Sequence, residues 1–190
     1  MIPPLLPTVS IMSLSEQNKK PYLTVRETVL FAMLGAVMFT SKIIMEVIPN
    51  VHLLATFTAV YTVVFRKKAL IPIYVYVIIN GVWAGFATWW IPYIYVWTVL
   101  WGVVMLLPKR MPPKVAPVVY CTVCFLHGLS FGALYAPSQA LLFGLNFKQT
   151  LTWIAAGFPW DVVHAVGNLV SGLLICPLVK VISKLYAKAA

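Results

Sequence analysis

The sequence predicts an all-α integral membrane protein, a bundle of six transmembrane helices with both termini in the cytoplasm. Three observations predict it. The 190 residues are 62% hydrophobic and 9% charged, with a mean hydropathy of +0.92, so the natural solvent of the chain is a bilayer. At about 20 residues per spanning helix, this length holds roughly five to seven spans and no separate soluble domain. Finally, the apolar runs are separated by basic clusters whose distribution fixes an orientation.

In chain order, residues 1–21 read as a cytoplasmic tail without the basic, then apolar, then small-residue order of a removable signal. Residues 22–190 form the membrane domain, with expected spans at about 25–47, 51–65, 70–87, 92–107, 115–145 and 151–182. The second run is short for a span. The fifth and sixth are long and contain Pro137 and Pro159, where a helix is expected to bend or divide. With the N-terminus inside, 12 of the 14 Lys and Arg residues fall on the cytoplasmic side, leaving Lys42 and Lys148 outside. The excess of basic residues therefore reports orientation, and nucleic acid is not an expected partner. The expected location is the cell membrane, as a multi-pass protein.

Residues 83–101 carry five of the seven tryptophans and are interrupted by Pro92. They read as two span ends joined by an aromatic corner, Thr88-Trp89-Trp90-Ile91-Pro92-Tyr93. Trp and Tyr anchor helix ends where hydrocarbon meets water, but this density also suits the wall of a pocket for a bulky or planar ligand. The same outer face gathers Asn50 and His52 beside Pro49, and Asp161-x-x-His164-x-x-x-Asn168 in the last span. Offsets of three and four place those last three on one helical face, with Ser171 or Gly172 continuing the stripe. Intramembrane polar groups mark a site, and they also serve as interhelical glue, His164 and Asn168 reaching His127, Ser130 or Asn80. Asp161 is placed to meet a ligand or Lys148. Lys42 and Glu46 are i,i+4 neighbours that can simply pair. The substrate-binding set is thus Asn50, His52, Trp89, Trp90, Tyr93, Asp161 and His164.

No phosphate-binding loop and no metal signature occurs, and no catalytic set or cofactor is expected, so the chain reads as a non-enzyme. Cys121-x-x-Cys124 has no second pair and reads as two small hydrophobes. Four acidic residues are too few for an ion-coupled carrier. The first span contains Ala32-x-x-x-Ala36 with Gly35 beside it, a small-residue strip that lets another helix, its own or a partner's, approach closely.

Six spans in this length, the Ala32-x-x-x-Ala36 strip, an outward aromatic and polar pocket and no nucleotide site together resemble the substrate-binding S components of energy-coupling factor vitamin transporters. The resemblance covers residues 22 to 186. It implies that Ala32 and Ala36 contact a transmembrane coupling subunit resting on two ATPases, and that the loaded bundle topples within the membrane. Pro49-Asn50-Val51-His52-Leu53-Leu54, Trp89-Trp90-Ile91-Pro92-Tyr93 and Asp161-Val162-Val163-His164-Ala165-Val166-Gly167-Asn168 are most similar to the subgroup that takes up cobalamin, with pantothenate the nearest rival. The Trp90-x-Pro92-Tyr93 and Trp97-x-x-x-Trp101 spacing also resembles the tryptophan-rich tetrapyrrole-binding sensors of the translocator-protein family, which have five spans. An intramembrane enzyme is a third reading.

Overall fold

A computed structural model describes residues 22–189, and the tail expected at 1–21 lies outside them. Eight α-helices form, with no strand among the described residues: α1 (Val25–Met45), α2 (Leu54–Phe65), α3 (Leu70–Ala84), α4 (Tyr93–Leu106), α5 (Ala116–Leu129), α6 (Phe131–Phe143), α7 (Phe147–Gly172) and α8 (Ile175–Ala189). Single 3-10 turns occupy Arg66–Ala69 and Thr88–Trp90.

The six expected spans are met in part. Val25–Met45, Thr88–Leu106 and Ala116–Phe143 are each long and apolar enough to cross a membrane, and α7 with α8, bent by 53°, makes a fourth if the pair counts as one broken span. Helices α2 and α3 have 12 and 15 residues, so at 1.5 Å per residue neither covers the ~30 Å hydrocarbon core alone. The breaks in the long runs also differ from expectation. Helix α6 continues through Pro137 and α7 through Pro159, whereas the chain breaks at Ser130 and after Gly172. A proline removes one backbone bond, and neighbouring groups can take up the freed carbonyls.

Short α2 is the post around which the others stand. Every residue from Leu54 to Thr62 is buried, and α2 meets α1, α3, α4, α5, α7 and α8. Polar side chains are drawn inside the bundle while many apolar ones stand on its surface. Thr56, Asn80, His127, Asp161, His164, Asn168 and Ser171 lie inside, while Met33, Val37, Val82, Val103, Val166 and Val170 lie on the surface. That polarity suits a lipid solvent. Because lipid gives apolar faces no drive to associate, close backbone approach and internal polar bonds must hold the helices together. A Cβ on Gly128 would sit 2.8 Å from Ala165 Cα, and one on Gly172 would sit 3.0 Å from Cys121 Sγ, so α5 and α7 touch backbone to backbone. Gly35 plays the same part for α1 against Val75 and Pro72 of α3. Across the interior, Asn168 Nδ2 donates to the Cys124 carbonyl at 3.1 Å, and Thr56 Oγ1 donates to Ser171 Oγ at 3.0 Å.

Side-chain bonds draw the basic segments to one end. Lys68 and the Tyr186 hydroxyl each donate to Glu27 Oε1 at 2.6 Å, tying the start of α1, the 66–69 turn and α8. Arg66 donates to the Met105 carbonyl at 2.9 Å, and Trp101 Nε1 donates to the Arg66 carbonyl at 3.1 Å, adding the end of α4. The opposite end collects the 46–53 turn, the aromatic corner and the start of α6.

Candidate functional site

The geometry at that opposite end is built around Trp97, four residues beyond Tyr93 on α4 and 1% exposed. Its indole is ringed by His52, Tyr76, Tyr93, His127 and Phe131, with centroids 5.8 to 6.3 Å away. His164 joins through His52 at 4.8 Å and Phe131 at 4.7 Å. Trp89 packs edge-on to Tyr93 at 5.6 Å, and the Tyr135 hydroxyl donates to the Trp89 carbonyl, clasping the corner to α6. Five elements thus contribute: the loop before α2, α3, α4, the α5–α6 junction and α7.

Of the expected site residues, His52, Trp89, Tyr93 and His164 belong to this cluster, and three are placed otherwise. Asn50 is exposed and adopts φ 59°, a left-handed turn position that Asn tolerates, so it shapes the 46–53 turn. Trp90 folds back on α3, its Nε1 donating to the Val77 carbonyl at 2.8 Å and its ring edge-on to Phe86. Gly81 makes room for it, since a Cβ there would collide with Phe86 and the Trp90 nitrogen. Asp161 makes no ion pair with Lys148. Both its oxygens accept from the Gly132 N–H at 3.1 Å, where a carboxylate complements the positive end of the α6 dipole. Asp161, His164, Asn168 and Ser171 are all buried on one face of α7, as their spacing predicts. Lys42 pairs with Glu46 at 2.8 Å.

Sequence reasoning passed over Trp97, Tyr76, His127 and Phe131 as site residues. A signal was present: 93 and 97 on α4, and 131 and 135 on α6, are four residues apart and so stack on one helical face each, with Trp89 and His127 four residues before them across the 88–90 turn and the break at Ser130.

The cluster presents hydrogen-bonding groups. Trp97 Nε1, the Tyr76 hydroxyl, His52 Nδ1, His127 Nδ1 and His164 Nε2 are buried without a partner among the described residues. His127 Nε2 lies 3.2 Å from the Val96 carbonyl, which only accepts, so in the neutral ring Nε2 carries the proton and Nδ1 is an acceptor. The set therefore offers an indole donor, a hydroxyl that does either, and imidazole nitrogens. Buried polar atoms are ordinarily paired, and several together mark a place where a ligand or ordered water supplies the complement. Among the described residues no three His, Cys, Asp or Glu side chains converge as a metal site, and Cys121 and Cys124 are buried free thiols.

A second feature nearby is an apolar groove of about 690 Å³, lined by Met45, Val51, Val163, Val166 and Gly167 among others. It lies on the exposed apolar side of α7, and its near absence of polar atoms sets it apart from the histidine cluster. On α1, Ala32 and Ala36 are exposed whereas Gly35 is buried. The α3 helix already occupies Gly35, so only the two alanines are open to another chain. No protein-family model matches the chain, no curated protein is significantly similar to it, and neither is any solved structure.

Proposed function

We propose that the chain is a vitamin-binding membrane subunit, the S component of an energy-coupling factor importer, with cobalamin as its substrate and transport driven by partner ATPases. The observation that carries this reading is the buried Trp97–histidine cluster, with its five unpartnered polar atoms, at the end of the bundle away from the basic residues. Arg66, Lys67 and Lys68 at the basic end face the cytoplasm under the positive-inside rule, so the cluster faces outward. On this reading the helices cross the membrane as six segments, α2 with its flanking turns completing a short span, and both termini are cytoplasmic. Ala32 and Ala36 present the face for the coupling subunit.

A neutral, amide-rich ligand fits the cluster better than an anion. Lys42 is held by Glu46, and no Lys or Arg ring-neighbour borders Trp97 among the described residues, so pantothenate would have its carboxylate uncompensated. The test is equilibrium binding of radiolabelled cobalamin and pantothenate to the purified chain. Saturable, tight cobalamin binding with pantothenate unable to compete is the expected result. Tight binding of a tetrapyrrole by a chain that never associates with a coupling subunit would favour the sensor instead.

A further inference from the structure

The basic end of the bundle holds a cavity that vitamin binding does not use. It measures about 240 Å³, with Val63, Val104 and Leu107 as its apolar wall and Arg66, Lys109 and Tyr120 at its polar side. Three observations single it out. Arg66 is fixed in place: its backbone takes φ 55°, a region that favours glycine. Trp101 Nε1 holds its carbonyl, and its guanidinium donates to the Met105 carbonyl. Strain of this kind persists only where the surroundings enforce it. The positive charge is also uncompensated. Among the described residues Glu27 pairs with Lys68, Glu46 pairs with Lys42, and Asp161 bonds Gly132, so Arg66 and Lys109 have no acidic partner. Moreover the wall residues Val104 and Leu107 each directly follow an exposed apolar residue of α4, Val103 and Leu106.

We propose that this cavity binds the phosphate of an anionic phospholipid of the cytoplasmic leaflet. Arg66 and Lys109 meet the phosphate oxygens, the Tyr120 hydroxyl donates a further hydrogen bond, and an acyl chain lies along Val103 and Leu106. A planar guanidinium suits phosphate oxygens in pairs, and basic pockets between helices on the cytoplasmic side are suited to such headgroups. The apolar wall selects a lipid over free phosphate. The site is independent of the vitamin reading and rests on the orientation proposed above.

Native mass spectrometry of the full chain in detergent tests it, with added phosphatidylglycerol, phosphatidylcholine or inorganic phosphate. The wild type should retain phosphatidylglycerol in preference to phosphatidylcholine, and equimolar inorganic phosphate should not displace it. Lys109→Gln and Arg66→Gln together should lower that retention roughly tenfold to thirtyfold, the worth of two juxtamembrane cations. Lys148→Gln, at the other end, should leave it unchanged. Because Arg66→Gln also loses the Met105 bond, Lys109→Gln alone, in which no structural bond is broken, should show a smaller fall of about fivefold. Equal retention of the two lipids, displacement by inorganic phosphate, no effect of Lys109→Gln, or an equal effect of Lys148→Gln would each overturn the proposal.

Discussion

Asp161 and Trp97 show how differently two buried polar side chains can be used. The Asp161 carboxylate is committed to the Gly132 N–H at the start of α6, and its removal leaves a buried donor without a partner. Asp161→Ala is therefore expected to destabilise the fold by about 1–3 kcal/mol, read as a lower midpoint of thermal unfolding in detergent, while a ligand-bound sample keeps near-normal affinity. Trp97 Nε1 has no protein acceptor. Trp97→Phe keeps a ring in place and deletes only that donor, so cobalamin affinity should fall by about 1–2 kcal/mol, or roughly five- to thirtyfold, with little change in stability. The reverse pattern, unfolding without loss of affinity, would make Trp97 a packing residue. The sequence stripe Asp161, His164, Asn168, Ser171 made the inward face of α7 legible through its 3.6-residue period. The partner of Asp161 was not legible, because it is a backbone N–H 29 residues away that carries no side-chain signal. Trp90 was equally opaque: whether an indole meets lipid, ligand or a carbonyl such as Val77 depends on the turn that Gly85 and the 3-10 segment make.

At the scale of elements, the apolar runs located the helices, but prolines were poor guides to their ends. Helices α6 and α7 run through Pro137 and Pro159, and Ser130 interrupts the chain with no strong local breaker, whereas the Leu173–Leu174 step precedes Pro177, which has no N–H for the Leu173 carbonyl. Tertiary packing decides at Ser130, since α5 and α7 approach through Gly128 until only glycine fits. Gly128→Ala should cost about 1–3 kcal/mol by overpacking, and Gly128→Leu should prevent folding; an unchanged unfolding midpoint for Gly128→Ala would refute backbone contact at that point. The two alanines of α1 face outward while Gly35 packs inward, a division that three small residues within five positions could not reveal. Ala36→Trp is thus expected to abolish association with a coupling subunit and leave ligand affinity unaltered, as judged by co-purification beside a binding isotherm. Loss of both together would place Ala36 in the fold or the site.

The whole molecule has two unlike ends joined by the buried post α2. One end gathers Arg66, Lys67 and Lys68 about the Glu27 tie and faces an anionic leaflet on the orientation argued above; the other gathers aromatic rings and neutral donors around Trp97. Neither end contains a nucleotide motif, and three of the four acidic residues are engaged in ion pairs or backbone bonds. The central claim is that this chain binds its vitamin but needs partner ATPases to move it. Reconstitution into liposomes with radiolabelled cobalamin, with and without a coupling subunit and its two ATPases and with ATP enclosed, tests that claim most directly. The account predicts binding without accumulation by the chain alone, and accumulation only when partners and ATP are both present. Saturable accumulation by the lone chain under a proton or sodium gradient would contradict it.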